Sequence, residues 1–264
     1  MNNNKVFVVT GGASGIGREI VLSLLERKYT VIALDISEKG LNETHLLVKE
    51  KQENLKTYVV DITDLLQVES VYRQILEKFD KVTGLIHVAG VIQPFVKVID
   101  LDYKAIEKVI NINLYGTIYL NKTFLPILLK QPEAYLVNVS SMGGFLPVPG
   151  QAIYGATKSA VKLLSEALYT ELKGTSVNVS VVLPGGVNTN ISKNSNVDMM
   201  QTPENTKYKM LTASKVADII IKAMFKKKLY IYAGPDAKLM KHLTRVAPKA
   251  TANMIAKKMG DLIK

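Results

Sequence analysis

Lys5-Val6-Phe7-Val8-Val9-Thr10 runs without a break into Gly11-Gly12-Ala13-Ser14-Gly15-Ile16-Gly17, and Ile20, Leu24 and Leu25 then follow at helical spacing. The first six residues form a continuous apolar run, the pattern of a strand buried on both faces of a parallel sheet. Strand, glycine-rich loop and helix in that order make a phosphate cradle. The glycines let backbone approach a pyrophosphate, and the helix N-terminus offers free N–H groups and the positive end of its dipole. The glycine spacing is G-x-x-x-G-x-G rather than the commoner G-x-G-x-x-G, and the loop alone leaves a plain tight turn open.

Working outward, Thr30 to Leu34 reads as a second strand ending on Asp35. A carboxylate there can accept hydrogen bonds from adenosine ribose hydroxyls and repels a 2′-phosphate. Neither Ser14 nor Ile36, the flanking places for a phosphate-binding cation, is charged, which favours NAD over NADP. A helix cap or turn is the plainer use of Asp35. The alternation then continues to the end of the chain. A polar helix is expected over 38–53, a strand over 55–60 ending at Asp61, a helix over 65–79 and a strand over 85–88 before Ala89-Gly90. A long helical stretch over 102–130 is weakened by Asn111, Asn113 and Gly116, which predicts a kink that exposes a backbone carbonyl. Strands over 134–140, 176–183 and 229–233 and helices over 151–173 and 214–226, the last capped by Ser214, complete the pattern.

Gly11, Asp35, Asp61, Gly90, Ser141 and Pro184 each fall at the carboxyl end of a successive strand, where doubly wound sheets bind their ligands. The chain is therefore read as one α/β domain over 1–264, a doubly wound parallel sheet of about seven strands. Residues 187–212, polar and without periodicity around Met199 and Met200, are taken as a substrate lid, with disorder as the alternative. Residues 236–264 form a C-terminal extension of two short helices broken at Pro248.

On the helix over 151–173, Tyr154 and Lys158 stand at i and i+4, so their tips are neighbours, and Ser141 precedes the tyrosine by thirteen positions. A cation beside a phenol favours the phenolate and should draw its pKa down from about 10 into the acid/base range. Tyr and Lys at this spacing are by themselves a common accident; the surrounding alternation gives them weight.

With 47% hydrophobic and 22% charged residues in 264, the composition is that of a soluble globular chain. Cys is absent, which excludes disulfides and cysteine nucleophiles, and three scattered histidines, His45, His87 and His242, have no metal-ligand spacing, so no metal is expected. His87 is read as a packing or hydrogen-bonding residue of the sheet. No secretory or membrane segment is visible, and the protein is read as cytoplasmic. Of the net charge of +11, residues 215–264 supply +9, twelve Lys or Arg against three Asp. That basic end is a solubilising surface or, more sharply, a peripheral contact for an anionic membrane or an acidic protein. Nucleic acid is not expected as a partner.

With TGGASGIG, Asp61, Ala89-Gly90, Asn113, Ser141, Tyr154, Lys158 and the Pro184-Gly185-x-x-x-Thr189 turn in view, the chain resembles the short-chain dehydrogenase/reductase family over about residues 5–234. The resemblance implies a Rossmann fold and alcohol–ketone interconversion with NAD, NADP being the lesser expectation. It implies Tyr154 as catalytic acid/base, Ser141 on the substrate oxygen, Lys158 on the nicotinamide ribose and Asn113 holding a relay water. Cofactor contacts are implied for Gly11, Ser14, Gly15, Ile16, Gly17, Asp35, Asp61, Ile62, Ala89, Gly90, Tyr154, Lys158, Pro184, Gly185, Val187 and Thr189. It also implies a small alcohol or ketone substrate and a homodimer or homotetramer.

The sequence departs from the family where His87-Val88-Ala89-Gly90 replaces the usual Asn-Asn-Ala-Gly, and where Ala233-Gly234-Pro235 replaces a frequent glycine pair. Met142, Phe145, Leu146 and Val148 after Ser141 suggest an apolar substrate, unless they are core. The alternatives are an NADPH-dependent 3-oxoacyl-[acyl-carrier-protein] reductase and, from another class, a non-catalytic dinucleotide-sensing or membrane-surface protein.

Overall fold

The computed structural model describes residues 5–195, 197 and 210–260. Its strands and helices follow in chain order: β1 (Val6–Thr10), α1 (Gly15–Glu26), β2 (Thr30–Asp35), α2 (Glu38–Leu47), β3 (Leu55–Val59), α3 (Leu65–Lys78) and β4 (Gly84–His87). Then come α4 (Tyr103–Ile110), α5 (Gly116–Leu129), β5 (Ala134–Val139), α6 (Ala152–Glu171), β6 (Val177–Pro184), β7 (Val187–Asn188) and α7 (Ile191–Ser195). The chain closes with β8 (Leu211–Thr212), α8 (Ala213–Phe225), β9 (Tyr230–Ala233), α9 (Pro235–Val246) and α10 (Pro248–Met259).

Seven strands form one parallel sheet in the order β3-β2-β1-β4-β5-β6-β9. This is the doubly wound Rossmann fold read from the sequence. The alternation along β1 shows why both faces must be covered. Phe7 and Val9 join the core under α1 and α8, whereas Val6 and Val8 join the core under α3, α5 and α6. Each fully buried aliphatic side chain of this kind contributes about 1.5–3 kcal/mol. Strand order reverses between β1 and β4, the switch point beyond whose carboxyl ends a crevice opens.

Several boundaries differ from expectation. The polar helix ends at Leu47 and gives way to a 3-10 turn over Lys49–Asn54. Thr212, not Ser214, caps α8, its hydroxyl accepting from Lys215 N. The weakness seen over 102–130 is realised as a π turn, Asn111–Tyr115, between α4 and α5, with Gly116 N–H reaching back five residues to Asn111 O. In the stretch read as a lid, Val187–Asn188 pairs with Leu211–Thr212 and α7 stands between them; Met199 and Met200 lie outside the described residues. Among the described residues no helix is long and apolar enough to cross a membrane.

The C-terminal extension docks on the loop that follows β5. Leu146 packs with Met240 and Ile255, and Met142 and Phe145 lie against the same cluster. Their service as core settles the alternative left open above: Met142, Phe145 and Leu146 form the bed of α9 and α10. Asp236 in the first turn of α9 accepts from Gly186 N at 2.7 Å. Gly185 and Gly234 leave room for this carboxylate, since a Cβ on either would lie 2.1 or 2.3 Å from an Asp236 oxygen and displace it.

Candidate active site

A cavity of about 440 Å³ opens at the switch point. Every residue implied above as a cofactor contact lines it, together with Ser141, whereas Asn113 stands behind the wall, fully buried. At one end Gly11 and Gly15 adopt left-handed φ of +72° and +53°, so the loop can fold tightly under the N-terminus of α1. A Cβ on Gly17 would stand 2.1 Å from Gly11 O. Asp35 closes this end, its carboxylate accepting from Ala13 N (3.1 Å) and Ser37 N (2.9 Å). Arg18 is already engaged by Ala13 O, Gly40 O, Glu43 and Thr44. Asp61 holds the next turn by accepting from Thr63 N and Thr63 Oγ1. The cradle fits a dinucleotide: bare glycine backbone at a helix N-terminus, and an acidic group where a ribose would lie.

At the other end stand Ser141, Tyr154 and Lys158. Ser141 Oγ accepts from Gly143 N (3.0 Å) and hydrogen-bonds the Tyr154 phenol. Spacing alone predicted a lowered tyrosine pKa. Here burial pushes the Tyr154 phenol up, and Ser141's hydrogen bond pulls only partly against it. Lys158 Nζ donates instead to Val139 O at 3.0 Å, and burial pushes its ammonium down to about 8. Gly90 lies between the two polar groups behind it; a Cβ there would be 3.0 Å from both Asn113 Oδ1 and Lys158 Nζ. The Asn113 side chain pairs with Val91 like a short strand, Oδ1 accepting from Val91 N and Nδ2 donating to Val91 O, both at 2.9 Å.

Some positioning residues carry no sequence signal. Gln93, fully buried, accepts from Tyr154 N (2.9 Å) and donates to Gly150 O (3.0 Å), capping α6 where its own N-cap residue, Gln151, makes no side-chain cap. Segment 187–195 crosses the cavity: Asn194 Nδ2 donates to Ser14 Oγ on one lip, and Ser195 Oγ accepts from Ile92 N on the other. Val91, Ile92, Phe95 and Met210 supply apolar lining of the cavity that the sequence had assigned to other residues.

His87, at the end of β4, is fully buried, and burial with the nearby Lys158 charge pushes its imidazole down to about 3. The folded state therefore keeps it neutral while the unfolded state takes up a proton below about 6.5. The His87 contribution is undiminished above that pH and falls by about 1.4 kcal/mol per pH unit from 6.5 toward 3. Glu133, held down to about 2 chiefly by Lys227, with Tyr135 and Lys5, adds its own loss only below about 4.5. Urea unfolding at pH 7 and pH 5 should thus show a loss of about 2 kcal/mol that His87→Asn abolishes; equal losses in both proteins would contradict it.

A family model described as short chain dehydrogenase matches residues 5–200. The chain belongs to the short-chain dehydrogenase/reductase family. As a member of it, the protein is an oxidoreductase with a nicotinamide-dinucleotide site. A 3-oxoacyl-[acyl-carrier-protein] reductase of Thermotoga maritima is 34% identical over 190 residues, 70% of this chain and 75% of its own. A short-chain dehydrogenase/reductase from Burkholderia phymatum, solved in complex with NAD, superposes with a TM-score of 0.85 at 26% identity, covering 94% of this chain and 95% of its own. ElxO, solved with NADP bound, gives 0.78 at 26% identity over 88% and 98%. The structural neighbours of this short-chain dehydrogenase/reductase thus include both NAD and NADP complexes.

Proposed function

We propose that the protein interconverts a secondary alcohol and a ketone with NAD, on an apolar substrate. The observation that carries this reading is one cavity with Asp35 and the glycine loop at one end and Ser141, Tyr154 and Lys158 at the other. Bound nicotinamide supplies the hydride acceptor or donor. Ser141 holds the substrate oxygen, and Tyr154 exchanges a proton with it. Burial keeps the phenol protonated at rest, ready to donate during ketone reduction. Alcohol oxidation needs the phenolate, which the Lys158 charge favours because its ammonium pairs with a neutral carbonyl and not with a carboxylate. Asn113 holds the relay water behind Lys158. Val91, Ile92 and Phe95 exclude bulk water and favour an apolar substrate.

The test is absorbance of reduced cofactor with NAD⁺ and NADP⁺ in parallel, against aliphatic, cyclic and steroid-like secondary alcohols. NAD⁺-dependent turnover is expected. Turnover with NADP⁺ alone would overturn the role of Asp35 and favour the second reading, a 3-oxoacyl-[acyl-carrier-protein] reductase, which the Thermotoga relative supports. Asp35→Ser should raise KM for NAD⁺ about tenfold by removing a charge-assisted hydrogen bond to ribose, and narrow the preference over NADP⁺ by more. An unchanged NAD⁺/NADP⁺ ratio of kcat/KM would refute that assignment.

The same reading takes the protein as a cytoplasmic homodimer or homotetramer, one NAD(P)-binding domain over 1–264. Tyr103 on α4 and Leu163 on α6, both exposed, face outward for a second copy. The basic tail is the surface for an anionic membrane, and vesicle binding that survives deletion of 236–264 would remove that role.

A further inference from the structure

Strand β4 ends on an imidazole where the family resemblance leads one to expect an amide, and its two nitrogens are both occupied. His87 Nδ1 lies 2.7 Å from Thr10 Oγ1, and Nε2 lies 2.9 Å from Thr117 Oγ1. The direction of each bond follows from the partners' other bonds. Thr10 Oγ1 already accepts from Val88 N (3.1 Å) and Ala89 N (3.2 Å), so its proton is free to point at Nδ1. Thr117 Oγ1 lies 2.6 Å from Asn113 O, which carries no proton, so Thr117 donates there and must accept from Nε2. One protonation state satisfies all five contacts: a neutral ring with its proton on Nε2. With the proton on Nδ1, Thr10 would lose its acceptor and Nε2 would face an oxygen with no proton left to give. An imidazolium would likewise strand the Thr10 proton.

We propose that His87 is a positioning residue: a neutral Nε2–H imidazole that carries one hydrogen-bond direction from the Val88–Ala89 turn, through Thr10 and Thr117, to the backbone carbonyl of Asn113. Its two ends explain its use. Thr10 and the Val88–Ala89 amides fix the cofactor side of the switch point, where Gly11 lies against Ala89 backbone. Thr117 fixes a carbonyl inside the π turn, the least regular backbone of the α4–α5 unit. The bridge therefore sets the distance between the dinucleotide wall and the group assigned above to the relay water. A shorter amide reaches less far from the strand, and an apolar ring would leave the Thr10 proton without its acceptor and Thr117 Oγ1 without its donor. Lys158, from α6, is the charged group whose field reaches the ring, and it opposes protonation.

The role of Asn113 rests on the proposed function; the bridge itself does not, and the experiment separates them. In the protein without cofactor, nitrogen chemical shifts of labelled histidine should report His87 as the neutral Nε2–H tautomer from pH 8 down to about 5. Thr117→Val, which removes the acceptor, should move the ring toward Nδ1–H, and His87→Phe should shift the Asn113 carbonyl carbon resonance. An Nδ1–H ring or an imidazolium at pH 7, or an Asn113 carbonyl unmoved in His87→Phe, would overturn the bridge. In turnover, His87→Phe and Thr117→Val should each lower kcat about tenfold with KM for NAD⁺ within about twofold, and the double variant should be no worse than the worse single. Additive losses, or losses confined to KM, would overturn the positioning role. If His87→Phe fails to fold, Thr117→Val alone carries the tautomer reading and the kcat-against-KM reading. A wild-type protein that turns over no alcohol would count against the dehydrogenase reading, and the spectroscopic arm would still decide the bridge.

Discussion

Tyr154→Phe should lower kcat by about 10³-fold while leaving the affinity for NAD⁺ within about threefold, because a positioned acid/base contributes about 10²–10⁴ to proton transfer. The substitution removes one oxygen from a buried position and keeps the ring. Its hydrogen-bond partner Ser141 retains Gly143 N, so the loop is not left without a donor. Gln93 caps α6 through the backbone of residue 154, a contact the substitution does not touch. The loss should therefore fall on the chemical step and not on folding or cofactor binding. Single-turnover absorbance for rate and calorimetry for NAD⁺ binding separate the two. A variant that keeps more than a tenth of wild-type kcat would remove Tyr154 from the reaction.

Gly17→Ala should abolish useful cofactor binding, with Kd for NAD⁺ raised at least about 100-fold, and cost about 1–3 kcal/mol of stability. The added methyl would stand 2.1 Å from Gly11 O and 2.6 Å from Gly11 C, both backbone, so nothing flexible can yield. Relief requires α1 to move off the loop. That motion separates the N–H groups of the helix terminus from the place where a pyrophosphate would sit. Calorimetric Kd and urea unfolding together make the test. A variant with near-normal NAD⁺ affinity would mean that the loop tolerates a wider turn than its packing indicates.

Much of the architecture could be read from the chain because its signals are local. The buried run Val6–Thr10, the glycines after it and the loop residue that ends each successive strand are short-range facts, and a parallel sheet leaves them few arrangements. Ser141 was legible as a strand end and Tyr154 with Lys158 as a helical spacing, and all three line one cavity. What escaped was set by tertiary context. Gln93 serves as a helix cap across 61 residues of sequence, and no pattern announces that. The Tyr154 pKa depends on how deeply the ring is buried, a quantity that i,i+4 spacing does not contain, and burial outweighs the opposing hydrogen bond from Ser141. Met142, Phe145 and Leu146 look alike as substrate wall or core until the tail that covers them is placed. The π turn was anticipated only as a weakness at Asn111, Asn113 and Gly116, since composition marks a poor helix without saying how the backbone resolves it.

The docking of the tail has a thermodynamic consequence. Asp236 holds the Gly186 amide, and the helices behind it support the loop that presents Ser141, so the tail and the Ser141 end of the cavity are parts of one packed unit. Linked equilibria are reciprocal. Were an acidic surface to bind the docked tail in preference to the free one, it would raise affinity for the dinucleotide. Saturation with dinucleotide would in turn strengthen the hold on that surface.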